Sequence, residues 1–95
     1  MDINRVLEKI KSDFQEIHLK EIQRFIKQPS ISADGTGIIE TAEMLVEKIE
    51  KLGGEDVHLA DLSGDDFGHP IVYGEIYTDV SKPTFLFYSM YDVQP

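Results

Sequence analysis

Phe85-Leu86-Phe87-Tyr88 is the stretch that most limits how this chain can fold. Four bulky apolar residues in a row leave no polar face. A strand with one side in water alternates apolar and polar residues. A continuously apolar strand is instead covered on both sides, as in a sheet sandwiched between helices. The run sits in Thr84 to Tyr88 and soon gives way to the turn-prone Asp92-Val93-Gln94-Pro95. A buried strand that delivers a functional residue at the C-terminal rim of a sheet has this form.

The segments before it supply helices to cover such a sheet. Residues 2 to 27 carry Ile3, Val6, Leu7, Ile10, Phe14 and Ile17 at three- and four-residue steps, the spacing of one helical face. Asp2 is placed to cap this helix. Ile22, Phe25 and Ile26 continue the stripe with a shift of phase, which predicts either a bend or a junction of two helices near Gln15 to His18. Pro29 ends the helix by Gln28, since the residue before a proline is pushed out of helical geometry. Pro29-Ser30-Ile31-Ser32 then reads as an extended connector and Asp34-Gly35-Thr36-Gly37 as a flexible turn. The two glycines do not make a phosphate loop, because no lysine follows them and a helix rather than a strand precedes them. A second helix is expected from about Gly37 to Leu52, with Thr36 as its cap. Its apolar face is Ile38, Ile39, Ala42, Leu45, Val46, Ile49 and Leu52, Glu47 and Lys51 are spaced as an ion pair, and Gly53-Gly54 is the stop.

Three strands follow in this reading: Glu55 to Leu62, Ile71 to Tyr77, and Thr84 to Tyr88. The short polar connection Thr78 to Pro83 suggests a hairpin between the last two. The fold class expected is α/β, with two N-terminal helices packed on a small sheet of about three strands. If both helices lie on one sheet face, the other presents large apolar side chains and needs a partner. The remainder of a longer polypeptide, or a second copy forming a homodimer through the exposed sheet face, would serve. The alternative is that the helices divide between the two faces.

Composition narrows the function. The 95 residues carry a formal charge of −9 and no cysteine. An acidic surface repels phosphate backbones and anionic lipid, so neither nucleic acid nor membrane is an expected partner. Without cysteine there is neither a disulfide framework nor a thiolate metal site. No apolar run approaches spanning length and the N-terminus has no signal-peptide pattern, so the cytoplasm is the expected location. The three histidines stand apart. His18 lies in the first helix with only Glu21 near it, and reads as a surface residue. His58 reads as a packed or edge residue of a strand. His69 stands beside a loop containing Asp65 and Asp66, a combination able to bind a cation, but loop acids are common and nothing in the spacing fixes their geometry.

Stretches spread along the whole chain resemble the zinc-dependent aminoacylase, acetylornithine deacetylase and dipeptidase family of metallopeptidases. They are Phe25 to Ser32, Glu40 to Leu45 with Leu52-Gly53-Gly54, and Pro83 to Tyr88 leading into Tyr91-Asp92-Val93-Gln94-Pro95. The Asp-Val-Gln-Pro ending is most like the dipeptidase and carboxypeptidase branch. The resemblance implies that residues 1–95 are an N-terminal portion of an α/β/α catalytic domain of a hydrolase. It also implies zinc in the intact family, and a small peptide or N-acyl amino acid as substrate. The family motif at the last stretch is Gly-His-x-Asp, in which the histidine ligates zinc and the aspartate orients it. Here the sequence is Ser89-Met90-Tyr91-Asp92. Asp92 is therefore the candidate catalytic-site residue, while Met90 stands where the ligand is expected. A thioether is a soft, neutral donor that suits copper(I) better than zinc, so Met90 is given a packing role rather than a metal. The family's general base and remaining ligands fall beyond these residues, so no metal is expected to bind this chain alone and the chain alone is expected to be inactive. The competing expectation is a non-catalytic interaction or dimerisation module derived from a degenerate metallopeptidase.

Overall fold

A computed structural model describes residues 2–60 and 69–94. The long N-terminal helix begins as α1, Ile3–Asp13, where Asp2 accepts a hydrogen bond from the Arg5 amide at 3.3 Å. It passes through a π-helical turn, Phe14–His18, and continues as α2, Leu19–Lys27. The π turn is the physical origin of the phase shift in the apolar stripe. A π turn takes in an extra residue, and each residue turns a helix by roughly 100°. The helix therefore stays continuous while its apolar face rotates. Gln28 is extended (φ −71°, ψ 120°), as a residue before proline must be.

The connector closes tightly on itself. The Ile31 amide donates to the Thr36 carbonyl at 2.8 Å and the Gly35 amide to the Ile31 carbonyl at 2.9 Å. The Asp34 carboxylate accepts from the Thr36 amide at 2.9 Å, and that contact holds its carboxyl below the usual range. The glycine pair is thus a pinned turn, not the flexible one expected. Thr36 does not cap the next helix, which starts at Ile38 and so puts the cap position one residue beyond Thr36. Gly37 occupies the cap position at φ 72°. A Cβ there would come 1.9 Å from the Pro29 carbonyl oxygen, so the position admits only glycine.

The second helical segment, α3, is Ile38–Lys51. Its first turns hold the buried side chains Ile38, Thr41 and Ala42, and Ser30 of the connector is buried too. The Thr41 hydroxyl lies 3.0 Å from the Pro29 carbonyl and 2.8 Å from that of Gly37. Gly53 takes φ 88° at the helix end, and Glu47 and Lys51 approach to 3.5 Å as their spacing predicts.

The sheet has two antiparallel strands, β1 (Glu55–Ala60) and β2 (Ile71–Glu75), with His58 opposite Tyr73 and Ala60 opposite Ile71. The register slips between Glu55 and His58, where Asp56 adopts φ 51°. Helix α3 covers this sheet. The Ile49 side chain lies where a Cβ on Gly54 would fall (2.5 Å) or on Gly74 (2.6 Å), so two glycines let one isoleucine wedge helix against hairpin.

Two expectations are corrected. Thr84 to Tyr88 forms no strand among the described residues. It runs unpaired, with Phe85, Leu86, Phe87 and Tyr88 between 79% and 92% exposed. The hairpin joins β1 to β2, while an Asp79 turn redirects the chain after β2. The Asp79 carboxylate there accepts from the Ser81 amide at 2.9 Å and hydroxyl at 2.7 Å. The local pattern specified a covered strand, but pairing needs a neighbour and cover on both faces, and the described residues place neither there. Likewise, among the described residues it is α3 that packs on the sheet. The stripe of α1 faces solvent, with Ile3, Leu7 and Ile10 all more than half exposed. The radius of gyration is 15.9 Å, against about 12 Å for a compact chain of this length. The fold class is α/β as expected, with two strands rather than three among the described residues. Among the described residues, no helix is long and apolar enough to cross a membrane.

Candidate functional site

The residue singled out by sequence, Asp92, lies where three separate stretches meet. The tail is bridged in parallel to the connector at Ile31 and Val93, and the Val93 amide donates to the Ser30 carbonyl at 2.7 Å. Beside this bond the Ser32 hydroxyl donates to Asp92 Oδ2 at 2.9 Å. The third stretch is His69-Pro70 at the entry to β2. His69 Nε2 stands 2.8 Å from the Ser32 carbonyl oxygen. A carbonyl only accepts, so the ring carries its proton on Nε2. Tyr91 completes the junction, its hydroxyl donating to the Pro70 carbonyl at 2.5 Å. Burial, with the Asp92 charge second, pushes the Tyr91 phenol above its ordinary value.

Ser32 is therefore the hub, with His69 on its carbonyl and Asp92 on its hydroxyl. Sequence reading placed Ser32 only in a connector, and its contact with Asp92 spans 60 residues. The available signal was the Pro-Ser-hydrophobic-Ser stretch itself, one of those that carry the family resemblance. His69 is drawn into this junction, while Asp65 and Asp66, considered as its cation-binding companions, lie outside the described residues. Met90 is 76% exposed, so the packing role expected of it is not found.

The other histidines take the bland roles assigned to them. His58 Nδ1 lies 2.8 Å from the Asp56 carbonyl oxygen, and its ring leans on Tyr73 with centroids 5.3 Å apart. His18 lies on the π turn beside a shallow cleft between α2 and α3, across which Lys48 meets Glu21 at 3.4 Å. A second polar cluster lies on the sheet. Glu75 accepts hydrogen bonds from both Tyr73 and Tyr77, which lowers its own pKa and raises Tyr73 to about 12.

A metal site needs several converging imidazole, carboxylate or thiolate donors. Among the described residues, no three His, Cys, Asp or Glu side chains converge to hold a metal ion. With Met90 as the side chain two residues before Asp92, the described residues do not fit a metal by themselves.

Over nearly all of its length the chain is similar to metallodipeptidases. The chain is 35% identical over 98 residues to the Cys-Gly metallodipeptidase dug1 of Schizosaccharomyces pombe, an alignment taking in 95% of this chain. It is 33% identical over 100 residues to the Cys-Gly metallodipeptidase DUG1 of Candida albicans, taking in 94%. Each alignment covers 20% of the relative, so the chain spans about a fifth of the length of the curated relatives it matches. The similarities support a metallodipeptidase family without selecting a branch, and they imply a metal cofactor in its intact members. No family model matches the chain, and no solved structure matches it.

Proposed function

We propose that these residues are the N-terminal part of the catalytic domain of a cytoplasmic, zinc-dependent dipeptidase. The reaction is hydrolysis of the amide bond of a small peptide bearing a free carboxylate, and a Cys-Gly-type dipeptide is the first substrate to try. The observation that carries this reading is identity of about a third, sustained over nearly the whole chain, to two metallodipeptidases. The placement of Asp92 on a pinned junction supports it, since a residue that orients a metal ligand must itself be held. The described residues supply no ligand set, so no catalytic step is assigned to them and the chain alone is read as inactive. The test is metal-dependent dipeptidase activity, assayed on the ninety-five-residue chain and on a longer polypeptide that contains it. Activity in the longer form only is the expected result. Activity in the short chain, or in neither, overturns the reading.

A second reading is a non-catalytic interaction module. The exposed run Phe85 to Tyr88 and the bare apolar stripe of α1 favour it, because contiguous apolar surface of this kind marks contact sites. Self-association of a catalytically silent long form distinguishes it from the first.

A further inference from the structure

We infer that Ser32 is the positioning residue for Asp92, and that it does this work without help from residue 90. This deepens the metallodipeptidase reading and rests on it for the purpose of Asp92. A carboxylate on a chain end rotates about its side-chain torsions unless something fixes it. In a metal site that fixing is shared, because the ligand's own N–H bonds to the carboxylate. Here residue 90 is methionine, whose side chain has no N–H to offer and which is 76% exposed. The holding contact comes from the opposite direction. The Ser32 hydroxyl donates to Oδ2 at 2.9 Å, and Oδ1 takes no part in that contact.

Ser32 is itself fixed on both sides. Its carbonyl accepts from His69 Nε2 at 2.8 Å, and the adjacent Ser30 carbonyl accepts from the Val93 amide at 2.7 Å. The Ile31 bridge to Thr36 stiffens the backbone between them. The carboxylate is thus held by a hydroxyl on a braced turn, with His69 bracing from behind. Charge-assisted hydrogen bonds of this type are the stronger ones, and they are specific in direction.

The test is the side-chain torsion of Asp92, read from three-bond scalar couplings by NMR in the wild-type chain, Ser32→Ala and Ser32→Thr. We expect one dominant χ1 rotamer in wild type and in Ser32→Thr, which keeps the hydroxyl. Ser32→Ala is expected to average among rotamers while the remaining amide spectrum stays in place. Averaging in the wild type, or a single rotamer retained in Ser32→Ala, overturns the inference. The measurement needs no metal and no substrate. Its failure therefore leaves the dipeptidase reading standing, and failure of the activity assay leaves the contact measurable.

Discussion

The carbonyl oxygen of Pro29 occupies the space that a Cβ on Gly37 would need, 1.9 Å away, while Gly37 holds φ 72°. The turn that carries Ser30 to Ser32 is folded back onto the start of α3 by this one close approach. Gly37→Ala meets both a left-handed backbone and a backbone clash. It is expected to destabilise the chain by about 3 kcal/mol, measured by urea unfolding followed by circular dichroism. An unchanged midpoint would show that the turn does not close this way.

Thr41 sits beneath the same turn, its hydroxyl shared between the Pro29 and Gly37 carbonyls. Thr41→Val keeps the shape and removes the donor from a buried place. The expected loss is about 1–2 kcal/mol by the same unfolding measurement.

The Tyr73–Glu75–Tyr77 cluster gives stability a pH dependence at both extremes. Glu75 is lowered in the fold because two phenols donate to it. A lowered carboxyl stabilises above its unfolded value and loses that contribution as pH falls through the folded one, so the acid loss lies below the ordinary value of 4.5. Tyr73 is raised from 10.0 to about 12, so its contribution is complete below 10.0 and disappears as pH climbs towards 12. Phenolate absorbance should show a tyrosine titrating near the upper value. In Glu75→Gln the titration is expected to return towards 10.0.

Phe85 and Phe87 are 79% and 92% exposed. Replacing either by aspartate is expected to change stability by no more than about 0.5 kcal/mol, as for other surface positions. The same change should reduce any concentration-dependent association seen by sedimentation velocity. A large loss of stability would mean that the run is covered in solution.

Met90→His is expected to be equally silent in thermal unfolding, within about 0.5 kcal/mol, because the side chain it replaces is 76% exposed. A marked drop would restore the packing role that the structure withholds from Met90.

The helices were legible because periodicity is a local property. Even the π turn announced itself, as a stripe that changed phase between Ile17 and Ile22. Both strands of the hairpin were found, with β2 two residues shorter than expected. The failures share a cause. Phe85 to Tyr88 has the pattern of a covered strand, but a pattern cannot supply the neighbour. Thr36 and Gly37 both suit a helix start, and the choice was made by Pro29, eight residues earlier. Asp92 was singled out through a family motif, whereas the serine that contacts it lies 60 residues back and leaves no periodic trace.

That separation has a kinetic consequence. Closing a long loop costs entropy that grows with its length, and the clasp of Ser30 and Ser32 on Val93 and Asp92 encloses everything between. Helix α3 and the hairpin form from neighbours in sequence and have no need to wait for it. The clasp should be the last part of the chain to assemble and the first to open. Amide hydrogen exchange at Val93 would then outpace that in the middle of α3, so that the segment bearing Asp92 opens and closes while α3 stays folded.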